Sequence, residues 1–166
     1  PRIEITRWLN DVVDQVAIER LFRQSRPEVV FHAAAYKHVP MLEDQVREAA
    51  MNNILGTRSV AELADRFGCE AFVMISTDKA VNPANVMGTS KRAAEIFCQN
   101  LIQRSATRFV TVRFGNVLGS AGSVVPLFRQ QIESGGPVTV THREITRYFM
   151  TISESAQLIL QASVMG

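Results

Sequence analysis

The sequence predicts an α/β protein built on a doubly wound parallel sheet. Short apolar runs, such as Val29-Val30-Phe31 and Phe72 to Ile75, alternate with longer stretches of helical periodicity. In such an alternation the strands are covered on both faces and the helices serve as crossovers between parallel strands. A chain of 166 residues matches one domain of about 150. Its composition, 46% apolar and 20% charged, suits a buried core and excludes disorder and collagen-like sequence.

The elements follow in order. Residues 3–5, Ile-Glu-Ile, are expected to form a short strand. Residues 15–25 place Val16, Ile18, Leu21 and Phe22 at helical spacing, and Pro27 stands just past the expected end. Residues 29–31 read as a strand running into His32 and three alanines. Residues 44–67 read as one long helical stretch. There Val60, Leu63, Ala64 and Phe67 recur at i, i+3, i+4 and i+7, and Gly68 is placed to end it. Residues 72–75 are a second strand and 109–114 a third. Between them, residues 87–105 form a helix with Ala94, Phe97, Cys98 and Leu101 on one stripe. Residues 124–133 are helical and end at the turn Ser134-Gly135-Gly136-Pro137. Residues 138–140 are extended, and Ser153 is expected to cap a last helix over 154–165.

Composition narrows the function classes. Eighteen Lys and Arg against sixteen Asp and Glu leave a net charge of +2, without the basic excess of a nucleic-acid or membrane-surface binder. The two cysteines, Cys69 and Cys98, sit in apolar-patterned segments and make no disulfide framework; reduced thiols of a cytosolic protein fit them. His32, His38 and His142 have no metal-ligand spacing, so no metal site is expected. No apolar run is long enough to span a bilayer. The chain opens Pro1-Arg2-Ile3, with neither an initiator Met nor a signal peptide, and is expected to be a piece of a longer protein.

In parallel α/β sheets, ligands bind beyond the carboxyl ends of the strands. Three strand ends here carry unusual residues. At the first, Ala33, Ala34 and Ala35 leave room for a ligand against the backbone, and Lys37 is placed to meet a phosphate; tight packing beside a solvated Lys is the plainer reading. At the second, Ser76-Thr77-Asp78-Lys79 gathers two hydroxyls, a carboxylate and an amine. It is either an acid and base pair or a surface turn with an ion pair of little worth. At the third, Asn116 follows Gly115 and is either a turn residue or an amide facing a ligand. Met87 and Lys91 share a helix face. Asp11 precedes a helix and on spacing alone reads as a cap. Asn53 lies mid-helix close to Gly56, which is locally unfavourable and calls for a packing or binding reason.

Taken together these residues resemble a family. Asp11-Val12, His32-Ala33-Ala34-Ala35, Asn53-x-x-Gly56-Thr57, Ser76-Thr77-Asp78-Lys79, the helical Lys91 and Arg113-Phe114-Gly115-Asn116-Val117 occur in the order and spacing of extended short-chain dehydrogenase/reductases. The strings HAAAYKHVPMLE, ISTDKAVNP, RFGNVLGSAGSVVPLF and TRYFMTI resemble, more narrowly, the UDP-N-acetylglucosamine 4,6-dehydratase group of polysaccharide-biosynthesis proteins. The resemblance implies a partial Rossmann-like sheet over residues 1–123 that binds NAD. It also implies the start of a small substrate-binding portion over 124–166.

The same resemblance implies roles. Asp11 and Val12 contact the adenine, Ala33, Ala34 and Ala35 line the cofactor, and Lys37 lies near it or the substrate phosphates. Asn53 orients the cofactor-side strand end, and Lys91 holds the nicotinamide ribose. Ser76, also beside the cofactor, or Thr77 takes the place of the catalytic hydroxyl. Asp78 and Lys79 are the acid and base of dehydration: Lys79 removes the C5 proton while Asp78 protonates the departing C6 hydroxyl. His38 and Asn116 contact the substrate, and Arg147 pairs with its diphosphate. A UDP-sugar substrate, self-association, a cytoplasmic catalytic domain and a membrane anchor upstream in the longer protein are implied as well.

Two departures from the family pattern stand out. Met87 occupies the position of the usual proton-exchanging Tyr, four residues before Lys91, and a thioether exchanges no proton. The longer, membrane-anchored members of the group resemble this sequence in having Met there. The C4 base is then left among Thr77, Asp78 and a water near Lys91. The Gly-rich turn that holds a pyrophosphate at a helix N-terminus is absent before Asp11 and is expected upstream of Pro1. On that expectation the segment alone binds NAD poorly and is inactive.

Overall fold

The computed structural model describes residues 3–120 and 122–165. Its central sheet is parallel and three-stranded, with β1 (Val29–His32), β2 (Ala71–Thr77) and β3 (Arg108–Phe114) side by side in that order. Val29 stands opposite Ala71, and Thr77 opposite Phe114. β2 is the middle strand and is buried along most of its length, which explains its unbroken apolar run. On one face, Phe72, Met74 and Phe109 join Ile18 and Phe22 from α1 (Gln15–Ser25), Val60 and Leu63 from α4 (Thr57–Arg66), and Ala94, Cys98 and Leu101 from α5 (Val86–Ile102). Val73 alternates to the other face and is equally buried. The last helix, α7 (Ile152–Met165), packs against β2 and β3. The parallel α/β expectation therefore holds, and both cysteines are buried and free.

Local chemistry explains the ends of these helices. Asp14 caps α1, its carboxylate accepting from the Ala17 amide at 3.0 Å. α4 ends where Gly68 adopts φ +68°; the Cys69 amide then reaches back to the Ala64 carbonyl at 2.9 Å. Four expectations need correction. Residues 3–5 form no strand; Ile3 and Ile5 are exposed, with no neighbouring strand to pair with among the described residues. The stretch 44–67 is not one helix. α2 (Val39–Asp44) stops at Gln45, α3 (Val46–Ala49) restarts, and a π-helical segment (Ala50–Gly56) leads into α4. α5 stops at Ile102, short of residue 105. Ser153 lies inside α7, and Thr151 takes the capping role. The Thr151 hydroxyl accepts from the Glu154 amide at 3.1 Å, while the Glu154 carboxylate accepts from the Thr151 amide at 2.6 Å, a reciprocal capping box.

The chain also forms a small parallel pair, β4 (Asn116–Val117) with β5 (Phe149–Met150). α6 (Val124–Glu133) lies between them in sequence, and residues 138–140 belong to no strand.

His32 ends β1 inside the core. Its Nε2 lies 2.9 Å from the Thr57 hydroxyl, and its ring stacks on Phe72. Burial, with the Lys91 charge adding, pushes its pKa from 6.5 down to about 4. The folded chain keeps His32 neutral where the unfolded chain takes up a proton, so stability drains away as pH falls from 6.5 towards 4. The carboxylates at Glu95 and Asp78 start from 4.5 and 3.8, so the upper part of that window belongs to His32. Urea midpoints at about pH 7 and about pH 5 are expected to differ in the natural protein and to converge in His32→Gln. Equal midpoints in the natural protein contradict this account.

Candidate active site

The three singled-out strand ends meet at one cleft of about 470 Å³. Ala33, Ala35, Lys37 and His38 line it from the end of β1, Ser76, Thr77 and Lys79 from β2, and Asn116 from β4. Met87 and Lys91 come from the first two turns of α5. A second hollow of about 520 Å³ is lined by Asp11, Val12, Ala34, Ala35, Tyr36 and Asn52. The two hollows share Ala35 and Tyr36.

Asn53 lines neither hollow. It is fully buried in the π-helical segment, and its amide oxygen accepts from the Tyr36 N–H at 2.8 Å. Its amide nitrogen donates to the Tyr36 carbonyl at 3.0 Å and to the Ser90 hydroxyl at 3.0 Å. One side chain thus pins the strand end between the two hollows to the start of α5. That is the packing reason for a mid-helix Asn, and π turns recur at functional sites. Gly56, nearby, lets Val12 approach: a Cβ there would stand 2.8 Å from Val12 Cγ2. Asn53→Ala strands the Tyr36 amide and carbonyl, and is expected to cost about 2–4 kcal/mol in a denaturant melt. A loss below about 0.5 kcal/mol is what surface positions show and contradicts the role.

Lys79 lines the cleft from the 3-10 turn Asp78–Ala80, whose Asp78 is not among the lining residues. The Thr77 hydroxyl donates to Asp78 Oδ1 at 3.0 Å and accepts from the Lys79 amide at 3.3 Å. Lys79 Nζ donates to Asp78 Oδ1 at 2.9 Å and to Asn116 Oδ1 at 3.2 Å. Burial alone would raise the Asp78 carboxyl; the Lys79 ammonium and the Thr77 hydroxyl outweigh it and hold the pKa below 3.8. The Asp78 and Lys79 side chains keep about a third of their exposure, 32% and 30%. Lys91 is different: it is 6% exposed, and burial pushes it from 10.5 down to about 8, with Glu95 opposing.

Several sequence readings take definite positions. Asp11 does not cap α1; its carboxylate accepts from the Val13 amide at 3.1 Å beside the second hollow. Met87 lines the cleft while packing with Leu42 and Ala49. Arg147 is exposed, donates to the Thr146 carbonyl at 2.7 Å, and is not among the residues around the cleft. Sequence reasoning missed Glu95, a fully buried carboxylate held by Arg113 and Arg92. Its signal was a charged residue on the stripe that carries Lys91, Ala94 and Cys98.

A family model described as "Polysaccharide biosynthesis protein" matches residues 1–166. The chain belongs to this family. It is 59% identical over 156 residues to the probable polysaccharide biosynthesis protein EpsC of Bacillus subtilis (strain 168), covering 94% of this chain and 26% of EpsC. It is 58% identical over 166 residues to the capsular polysaccharide biosynthesis protein CapD of Staphylococcus aureus, covering 99% of this chain and 28% of CapD. The chain therefore spans about a quarter of the length of these family relatives. Its fold is similar to the UDP-glucose 4-epimerase of Thermus thermophilus in complex with NAD, at a TM-score of 0.83 and 25% identity. That match covers 93% of this chain and 58% of the epimerase. The resemblance to extended short-chain dehydrogenase/reductases of polysaccharide biosynthesis holds at the level of family and fold. Among the described residues no helix is long and apolar enough to cross a membrane.

Proposed function

We propose that this chain carries the core of an NAD-dependent nucleotide-sugar 4,6-dehydratase acting on UDP-N-acetylglucosamine or a similar UDP-sugar. The observation that carries the reading is that Lys79 and Asn116, hydrogen-bonded to each other, line a cleft that also holds Lys91, with Asp78 bonded to Lys79 from just behind the lining. The residues fit a dinucleotide: two adjoining hollows that share Ala35 and Tyr36, with Ala33 and Ala34 lining one each, and a buried ammonium with no ion pair of its own among the described residues. Asp11 and Val12 hold the adenine end, the three alanines and Ser76 line the dinucleotide, and Lys91 holds the nicotinamide ribose. NAD, when bound, supplies the hydride acceptor at C4 and the hydride donor at C6.

The protein's own part is the proton traffic. With Asp78 ionised, a proton passes from Lys79 to Asp78 along their 2.9 Å contact, leaving a free amine and a carboxylic acid. Once C4 is a ketone, the C5 proton is acidic. Lys79 takes it, and Asp78 delivers its proton to the C6 hydroxyl, which leaves as water. The pair is then ammonium and carboxylate. As C6 takes up hydride, the Lys79 ammonium returns the proton to C5. The proton released by the C4 hydroxyl, through Thr77, Asp78 or a water near Lys91, restores the starting state. Each such transfer by a positioned group is worth about 10²- to 10⁴-fold. Lys37, His38 and Asn116 face the sugar nucleotide. Arg147 meets its diphosphate only if the segment carrying it turns inward.

Residues 1–123 serve the cofactor and 124–166 begin the sugar side, with α7 returning to the sheet. The reading extends to self-association, a cytoplasmic catalytic domain and an anchor upstream in the longer protein.

A UDP-hexose 4-epimerase is the second reading, favoured by the similarity to the Thermus enzyme. Met87 counts against it, since an epimerase has more use for the usual Tyr, and so does Asp78-Lys79, which C4 inversion does not need. The full-length protein with NAD and UDP-N-acetylglucosamine decides: a 4-keto-6-deoxy product supports dehydration, and a C4 epimer supports the second reading. Tight binding of both with neither product makes the domain a non-catalytic binding module.

A further inference from the structure

We propose that Glu95 is a positioning residue for Lys91: it clamps α5 to the end of β3 and supplies the negative charge beside the buried ammonium. The inference deepens the proposed function and rests on it for what Lys91 meets in the cleft. Glu95 lies one helical turn beyond Lys91, on the same face of α5, and is fully buried. Its Oε1 accepts from Arg113 Nε at 2.9 Å, and its Oε2 from Arg113 Nη2 at 2.6 Å and Arg92 Nη1 at 3.0 Å. A forked Arg–carboxylate pair fixes angle as well as distance. Arg113 is two residues before Gly115 and three before Asn116, both of which line the cleft. The clamp therefore sets where Lys91 stands relative to the Lys79–Asn116 contact. Stability alone is a weak reason for such a pair, because apolar replacements of buried ion pairs are often neutral or stabilising.

The charges around Lys91 single out Glu95. His32, from β1, is neutral near pH 7, since burial pushes it down to about 4. Cys98, also on α5, is a neutral thiol, pushed up to about 12 by burial. Lys37 and Lys79 share the cleft and carry the same sign as Lys91. Asp78 is already paired with Lys79 at 2.9 Å. Among the described residues around Lys91, Glu95 remains as the anion. Burial would raise the Glu95 carboxyl, but Arg113 and Arg92 hold it below 4.5.

The test measures how fast an amine-acetylating reagent modifies Lys91 across pH in the full-length protein, read by peptide mass spectrometry. Glu95→Gln is expected to move the Lys91 midpoint down by about one pH unit or more. Arg113→Gln breaks the same ion pair but leaves Glu95 charged against Arg92, and should move the midpoint up. A purely structural clamp predicts the same response from both variants, so shifts in one direction, or none, overturn the proposal. If Glu95→Gln does not fold, Arg113→Gln decides alone: a midpoint at or below the natural one overturns it. The readout needs no turnover. Missing product with opposite shifts sinks the dehydratase reading only, whereas product with unmoved midpoints sinks the role of Glu95.

Discussion

Replacing Lys79 with alanine in the full-length protein is expected to cut 4,6-dehydration by about 10²-fold or more. The substitution removes the only group in the proposed pair that can act as a base once its proton has passed to Asp78. Asp78 then loses the ammonium at 2.9 Å, and burial, no longer outweighed, moves its carboxyl upward. The acid survives and the base does not. Folding should be nearly untouched, because both side chains keep about a third of their exposure and such pairs contribute about 0–1 kcal/mol. The expected result is a collapsed kcat with an unchanged thermal midpoint. Product formation near the natural rate would remove Lys79 from the chemistry.

Gly88→Ala is expected to damage both stability and turnover, against the grain of helix propensity. In a helix interior, Ala is favoured over Gly by about 1 kcal/mol. At Gly88, however, a Cβ would overlap the Lys79 carbonyl oxygen and stand 3.2 Å from the carbonyl carbon. Those are backbone atoms and cannot rotate away. Either the first turn of α5 retreats, carrying Lys91, or the Lys79 turn does, pulling its amine from Asn116. Overpacking of this kind costs about 1–3 kcal/mol, which exceeds the propensity gain. A displacement of about 1 Å can cost about 10²-fold in rate. Denaturant midpoint and kcat are the measurements, and a stabilised variant with full turnover would refute the contact.

Most of the sheet was legible in the sequence, because the signals there are local. α1 runs over the residues its periodicity marks, and β2 and β3 contain the apolar runs assigned to them. What was not legible depends on partners distant in sequence. Nothing within residues 44–67 announces a π turn; it follows from Asn53 reaching Tyr36 and Ser90 at once. Ser153 and Thr151 are equally good caps by type, and the reciprocal bond to Glu154 chooses Thr151. Most of the singled-out residues line the cleft or the second hollow, and Asp78, Asn53 and Arg147 line neither. Glu95 escaped notice because its partner, Arg113, lies across an intervening strand connection.

The short parallel pair of β4 and β5 has a consequence for how this scaffold can diversify. The Asn116 amide binds the Tyr148 carbonyl at 2.8 Å, and the Leu118 amide binds the Met150 carbonyl at 2.9 Å. Both ends of the intervening stretch are thereby anchored close to Asn116 and its contact with Lys79. Lengthening a flexible loop twofold costs only about 0.6 kcal/mol in closure entropy. The stretch between those anchors can therefore be exchanged like a cassette, altering the cleft wall that Ser120, Gly122, Ser123, Val124 and Val125 form while Asn116 keeps its hold on Lys79.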